Sequence, residues 1–442
     1  MFFPPDFVKS LKEVAGNDRG EEILASLDTP ASVSIRLNTS KTKSVSELFP
    51  HNMLKGKVPH CNTGYFLKER PLFTDDPLFQ AGAYYVQDAS SMIVEKVCSF
   101  IPDDAENLTI LDLCAAPGGK STHLISIACG YRGSLVISNE VIKSRATILA
   151  ENISKWGYPD VVVTNNDAAD FRKFPIAFDI ILADVPCSGE GMFRKDKNAI
   201  LEWSADNVNL CAQRQRRIVA DIWCSLKDGG LLLYSTCTFN RKENEENIEW
   251  ISSSLGGDIL YVKRFFPCDE DAGEGLFFSI IRKKTKCEVN GYHADFSRKI
   301  KQEKFQPDWC SDNTVFIRKG DLLKGYTTCA LERILAAEQT LRTVISSVAV
   351  ADIIDSKSGK KGPLLVPRTE LIQSSLYKKG SLPEIELPLE TFGKFFRREN
   401  FTIADAPTGY VVLTYHGIPV GVVKNIGNRI NNLWPSSRRI LK

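Results

Sequence analysis

Thr109-Ile110-Leu111-Asp112-Leu113-Cys114-Ala115-Ala116-Pro117-Gly118-Gly119-Lys120-Ser121 carries an apolar run into a glycine-rich turn and on into the start of a helix. An uninterrupted apolar strand is what a sheet covered on both faces requires, because neither side of it meets water. The same rhythm continues outward. Ser134-Leu135-Val136-Ile137-Ser138 leads to a helical stretch from about Lys143 to Trp156, then to Val161-Val162-Val163-Thr164 and Asp179-Ile180-Ile181-Leu182-Ala183-Asp184. A helix through Arg214 to Leu226 precedes Gly230-Leu231-Leu232-Leu233-Tyr234-Ser235. Strands alternating with helices predict a doubly wound, Rossmann-like α/β domain built on a parallel sheet. It closes on a hairpin, Ile259 to Phe265 and Leu276 to Lys283, joined by the acidic loop Asp269 to Gly275.

At 442 residues the chain exceeds the size at which one core stops growing, so further domains are expected on either side. Residues 1–107 read as an N-terminal α+β extension, with a helical opening from Asp6 to Leu27, a β-branched run from Ser32 to Asn38 and an aromatic segment, Tyr84-Tyr85-Val86. Residues 108–285 form the sheet domain, 286–310 a polar linker, and 311–442 a C-terminal α+β region ending in a hairpin that turns at His416-Gly417. No apolar run reaches membrane-spanning length, and Met1-Phe2-Phe3-Pro4-Pro5-Asp6 lacks a signal peptide's basic start. A cytoplasmic, monomeric chain with no membrane partner is expected. The twelve cysteines contain no CxxC pair and the five histidines are dispersed, which argues against disulfides and against a metal site. From Lys357 onward fourteen Lys/Arg face six Asp/Glu, although the whole chain carries only +2. Such a basic tail fits phosphate binding or a solvated surface equally well.

In a doubly wound sheet, ligands sit beyond the carboxyl ends of the strands, where the first glycine-rich turn feeds a helix. Cys114, Ala115, Ala116, Pro117, Gly118, Gly119 and Lys120 occupy that place. A nucleotide P-loop would need glycine where Cys114 stands, so that reading is weak. Glu140 follows the second strand, where a carboxylate accepts hydrogen bonds from ribose hydroxyls; Asp167 follows the third and Asp184 ends the fourth. Singly these are surface loop acids. As a series they describe a pocket for an adenosine-bearing ligand.

Two cysteines end neighbouring apolar runs, in Asp184-Val185-Pro186-Cys187-Ser188-Gly189 and in Ser235-Thr236-Cys237-Thr238. A buried cysteine is ordinarily a small hydrophobe, which suits Cys98, Cys129, Cys211 and Cys224. Cys187 and Cys237 instead fall on the rim that receives the ligand. A nucleophilic thiol needs a positive setting, and Lys120, with Arg194 and Lys195, is its expected source.

The turn Cys114 to Ser121, Asn139-Glu140, Asp184 to Gly191 with Arg194-Lys195-Asp196, and Ser235 to Thr238 followed by Glu243-Asn244-Glu245 together resemble the S-adenosylmethionine-dependent RNA cytosine-5 methyltransferases. Within them the chain is most similar to the bacterial enzymes of small-subunit rRNA. The similarity extends to Ser34-Ile35-Arg36-Leu37-Asn38-Thr39, to Gln87-Asp88-Ala89-Ser90-Ser91, and to a PUA-like RNA-binding tail from Gly417 to Pro435. The resemblance implies a class I methyltransferase sheet, S-adenosylmethionine as cofactor, and ribosomal RNA or a ribosomal subunit as partner. It implies a methyl-donor site at Cys114 to Lys120, Glu140, Asp167 and Asp184, and Cys268 stands where relatives commonly carry histidine.

Cytosine C5 is a weak nucleophile, so a thiolate first adds to C6. Residue logic leaves open which thiol attacks. The resemblance assigns attack to Cys237 and product release to Cys187, with Asp184 on the cytosine edge and Lys120 beside them. A base in a duplex is out of reach, so the target must be looped or flipped out. Phe193 and Tyr84 would then either stack on it or pack in the core. Competing readings are a tRNA or 23S rRNA substrate, a noncatalytic ribosome-assembly factor, and a methyltransferase for a small molecule or protein. The last explains neither the basic tail nor the second thiol.

Overall fold

Eight strands form the central sheet of the computed structural model, which describes residues 3–284, 302–303, 306–355 and 363–441. In chain order they are β1 (Thr109–Asp112), β2 (Leu135–Asn139), β3 (Val161–Thr164), β4 (Phe178–Asp184), β5 (Leu226–Thr236), β6 (Gly257–Phe265), β7 (Leu276–Lys283) and β8 (Thr343–Ser346). Across the sheet they run β6-β7-β5-β4-β1-β2-β3-β8. The first five are parallel, β7 pairs antiparallel with β5 and β6, and β8 pairs antiparallel with β3. The order reverses between β1 and β4, and that switch point is where an open α/β sheet leaves a crevice for ligand. Much of the expected linker, 286–301 and 304–305, lies outside the described residues.

The apolar runs become strands because both faces are covered. Phe171, Phe178, Val219, Trp223 and Ile251 pack one face; Val94, Leu124, Leu149 and Trp156 pack the other. The covering helices are α1 (Gly119–Ala128), α2 (Lys143–Trp156), α3 (Ala205–Trp223) and α4 (Glu245–Leu255). α3 starts well before Arg214, because Ser204 caps it by accepting the Asn207 N–H at 3.1 Å. α5 (Leu331–Thr340) adds Ile334, Leu335 and Ala337 to the sheet's core, and β8 follows it, so residues far down the chain finish the sheet. Among the described residues no helix is long and apolar enough to cross a membrane.

Around this centre stand three four-stranded sheets. One joins Leu54–Lys57, Gly64–Leu67, Val33–Leu37 and Tyr84–Val86; two lie in the C-terminal region, the last ending in the hairpin Gly409–Tyr415 and Ile418–Asn425. N-terminal Ile35, Phe73 and Tyr84 share one core with C-terminal Phe392, Phe395 and Trp434. The two ends of the chain therefore pack as one body. Three dispersed residues also meet where the N-terminal extension reaches α1: Cys61, Glu95 and His123 bring ligand-type atoms within 4.8 Å of one another. Burial pushes the His123 imidazole down to about 4.

Arg36 fastens the extension to the sheet domain. Fully buried, it donates to Gln87 Oε1 (2.7 Å), Ser126 Oγ (3.0 Å) and Thr122 Oγ1 (2.7 Å), and its guanidinium lies 4.6 Å from the Trp156 ring centroid. Burial lowers its pKa to about 10. Arg36→Ala should destabilise the protein by about 3 kcal/mol in urea unfolding, because two buried acceptors and one half-buried one lose their donor at once.

Candidate active site

The carboxyl ends of β1 to β5 open onto a cavity of about 560 Å³, within the range of small-ligand sites. Of the residues expected from sequence, Cys114, Ala116, Glu140, Asp167, Asp184, Cys187 and Cys237 line it. Ala115, Pro117, Gly118, Gly119 and Lys120 do not line it; they form the turn that positions Cys114 and Ala116. The Ala115 N–H donates to Asn139 O at 2.8 Å, and Pro117 O accepts from Tyr85 Oη (3.2 Å) and Asn152 Nδ2 (2.8 Å). Gly118 turns the chain at φ 117°, a conformation side chains rarely adopt, and so starts α1 at the cavity floor.

Glu140 Oε1 accepts the Ile142 N–H at 2.9 Å, and its other oxygen lies 3.3 Å from Arg145 Nη1. Asp167 caps a short 3-10 turn, Ala168–Lys173, through a reciprocal capping box with Asp170. Sequence reasoning missed Val141 and Ile142, which follow Glu140, stay largely exposed and line the cavity. An exposed apolar pair beside a carboxylate was the available signal. Together with Glu140 and Asp167 they offer a flat apolar edge and hydrogen-bond acceptors, and this set fits an adenosine-bearing methyl donor.

Asp184 and Ser235 are register partners on parallel β4 and β5, and Ser235 Oγ donates to Asp184 Oδ1 at 2.6 Å. The following loops therefore run side by side, and Cys187 Sγ lies 3.2 Å from Cys237 Sγ. Lys120 Nζ reaches Asp184 Oδ2 at 2.8 Å. Burial alone would lower the Lys120 pKa, but Asp184 and then Cys237 hold the ammonium above its ordinary value. The hydrogen bond to Cys237, with burial behind it, pushes the Cys187 thiol well up. Arg194 and Lys195 are committed elsewhere. Arg194 donates to Glu274 Oε2 (2.8 Å) and Gly273 O (2.8 Å), and Lys195 lies 3.4 Å from Glu274 and 3.8 Å from Asp88, so they hold the 269–275 loop rather than set the thiols' charge. Phe193 and Tyr84 are core residues: Phe193 packs on Phe7 and Phe3, and Tyr84 packs on Phe49 while donating to Asp76.

Two buried carboxylates, which fall in the stretches that carry the family resemblance but had no role assigned from sequence, hold the thiol loops. Glu243 accepts the Ser188 N–H (3.0 Å), the Ser188 hydroxyl, Gln215 Nε2 (2.7 Å) and Asn240 Nδ2 (2.8 Å). Glu190 accepts the N–H groups of Phe239 (2.7 Å) and Asn240 (3.0 Å) and the Trp203 indole (2.9 Å). Each acid belongs to one loop and binds backbone of the other. Gly191 closes the seam, since its N–H donates to Cys237 O at 2.8 Å and a Cβ there would stand 2.8 Å from that oxygen.

Residues 100–255 match the family of 16S rRNA methyltransferase RsmB/F, 3–89 the N-terminal domain of 16S rRNA methyltransferase RsmF, and 382–440 the methyltransferase RsmF PUA domain. Ribosomal RNA small subunit methyltransferase F of Enterobacter sp. (strain 638) is 30% identical over 98% of this chain and 95% of its own length. The chain belongs to the RsmB/F family. It is thus an S-adenosylmethionine-dependent rRNA methyltransferase. The relative of the same name from Shewanella loihica is 28% identical over 97% of this chain and 94% of its own length. Among solved structures, a methyltransferase homolog protein from Pyrococcus horikoshii is 26% identical, with a TM-score of 0.55 over 64% of this chain and 95% of its own. NSun6 from the same organism, solved with an S-adenosylmethionine analogue, shares the fold at 21% identity, with a TM-score of 0.55 over 64% of this chain and 99% of its own.

Two outcomes follow from this geometry. Glu243→Ala should lower kcat by about 100-fold, as expected for displaced reacting groups, while S-adenosylmethionine affinity measured by calorimetry stays within about twofold. Asp112, buried beneath the donor turn with Ser121 Oγ donating to it at 2.6 Å, has its carboxyl pushed up to about 7 by burial. The folded state then holds a proton that the unfolded chain releases near pH 4, so this group's contribution to stability falls as pH rises from about 4 to about 7. Asp112→Asn should flatten that part of the curve in urea titrations across pH.

Proposed function

We propose that the enzyme methylates C5 of a cytosine in 16S rRNA through a covalent adduct at C6, with Cys237 as nucleophile and Cys187 assisting release. The observation that carries this reading is the pair of thiols 3.2 Å apart over the cavity. Methyl transfer to an exocyclic nitrogen or a ribose oxygen has no use for a thiol, let alone two. The donor is assigned to the Cys114 to Lys120 turn, Glu140, Asp167 and Asp184.

S-adenosylmethionine, when bound, supplies an electrophilic methyl group on a sulfonium. The chain does the rest. The Cys237 thiolate adds to C6, which makes C5 enamine-like, and the Asp184 carboxylate, fixed by Lys120 and Ser235, accepts hydrogen bonds from the N4 amino group and protonated N3. Once C5 carries the methyl group, its proton passes to solvent water, the C5–C6 double bond re-forms, the C6–S bond breaks with its electron pair returning to Cys237 as thiolate, and N3 gives back the proton it took from solvent on addition. Cys187, kept as a thiol beside that sulfur, is placed to assist this elimination.

Addition, transfer and elimination need no metal, and the enzyme is proposed to work without one, as a monomer in the cytoplasm. In the proposed division of labour, 108–285 carries the chemistry, while 1–107 and the PUA-like part of 311–442 hold RNA, joined through 286–310. Cys237→Ala should give neither methylation nor adduct, whereas Cys187→Ala should trap an RNA–protein adduct resistant to denaturing electrophoresis. The reverse pattern would exchange the two roles. Bisulfite sequencing of total RNA from cells with and without the gene should show loss at a 16S rRNA cytosine; loss in tRNA or 23S rRNA would redirect the substrate assignment.

A further inference from the structure

α3 passes along the cavity with two distinct faces. Cys211, Gln215, Val219 and Ile222 are buried, and Gln215 donates to Pro186 O at 3.0 Å and to Glu243 at 2.7 Å, which ties the helix to the Cys187 loop. Arg214 and Arg217 are exposed and, with the half-buried Ile218 between them and the core, line the cavity that also holds Cys187, Cys237 and Asp184. Positions three and four apart on a helix are surface neighbours, so the two guanidinium groups project together over the mouth.

Both arginines are exposed, and among the described residues neither has a carboxylate within ion-pair distance. Their neighbours on the same helix are engaged. Arg216 donates to Asn247 Oδ1 at 2.7 Å and lies over the Trp250 ring, and Asp221 takes Arg172. Like charges at this spacing repel each other, and among the described residues neither arginine is held in an ion pair. The rim of a cavity that must admit a flipped-out nucleotide thus carries two exposed guanidinium groups outside any ion pair among the described residues, whose planar forks suit phosphate oxygens.

We propose that Arg214 and Arg217 form a phosphodiester-binding site, holding the RNA backbone beside the nucleotide whose base enters the thiol cavity. The proposal rests on the reading of that cavity as an RNA methyl-transfer site. Phosphate contacts set register without reading sequence, so the pair positions the target nucleotide rather than choosing it.

The test is the salt dependence of RNA binding by the full chain, read by anisotropy of a fluorescein-labelled single-stranded RNA oligonucleotide containing cytosines. For single strands each phosphate contact contributes about 0.7 to the slope of log K against log salt. Arg214→Ala and Arg217→Ala should each lower that slope by about 0.7, and the double variant by about 1.4. The KM for 16S rRNA should rise about tenfold in the double variant, kcat at saturating RNA should hold, and calorimetric affinity for S-adenosylmethionine should not change. Lysine at both positions should restore most of the slope. An unchanged slope would overturn the proposal, as would a weakened donor affinity in its place, which would give the arginines to the donor's carboxylate. Methylation at a position other than cytosine C5, with the slope still reduced, would sink the chemistry and leave the phosphate site standing.

Discussion

Everything at the active site depends on the parallel pairing of β4 with β5, in which Asp184 lies opposite Ser235. Successive strand residues advance by about 3.3 Å, so a slip of one position would displace one loop by as much as the 3.2 Å that separates the two sulfurs. It would also turn alternate side chains to the opposite face and drive the apolar runs of both strands out of their packing. The cores on the two faces of the sheet thus enforce the register, and the register brings the thiols together. Packing and chemistry are two readings of one alignment.

Strand pairing ends where the loops begin, and irregular backbone near a cavity leaves N–H groups that need acceptors. Glu190 and Glu243 supply them. A carboxylate accepts several hydrogen bonds at once, so one side chain can satisfy backbone and side-chain donors from both loops. No lysine or arginine pairs with either acid among the described residues, and burial raises the Glu243 pKa, so their neutral donors stabilise what charge they carry. An apolar pair of similar volume would fill the space but leave Ser188, Phe239 and Asn240 unsatisfied. The arrangement gives non-repetitive loops a rigidity that ordinarily belongs to strands.

Much of the sheet was legible in the sequence because β1 to β5 are buried on both faces and therefore read as apolar runs; α2 and β3 fall where periodicity and β-branching put them. The start of α3 was hidden, since Asp206, Asn207 and Asn209 resemble a loop until the Ser204 cap is recognised. α5 and β8 were illegible for a different reason. A four-residue edge strand carries too little pattern, and its partner β3 lies far earlier in the chain. The shared core of Tyr84 with Phe395 and Trp434 likewise depends on tertiary contact alone. At the site, the glycine turn, the strand-end acids and both cysteines were legible because the chemistry needs those residue types. The clamping roles of Glu190 and Glu243, and Arg214 and Arg217 altogether, were not, because an acid or an arginine in a polar stretch looks the same whether it is solvated, clamped or facing a substrate. Phe193 and Tyr84 illustrate the converse, as stacking and core packing use the same side chains.

The two thiols are nearly equivalent in position and unequal in surroundings. At 3.2 Å they cannot both be ionised, since like charges so close in a low dielectric repel strongly. The proposed chemistry accordingly uses one thiolate and one thiol. Cys187 is half-buried, in hydrogen-bond contact with Cys237 and within the field of the Glu243 carboxylate, and all three influences oppose its ionisation. The cation in reach is Lys120, and its interaction is with Cys237 as well as with Asp184. The two fields thus differ in sign: the Glu243 carboxylate acts on Cys187, and the Lys120 ammonium interacts with Cys237. A carboxylate acting on Cys187 and an ammonium acting on Cys237 give the pair the polarity that the proposed roles of the two thiols require.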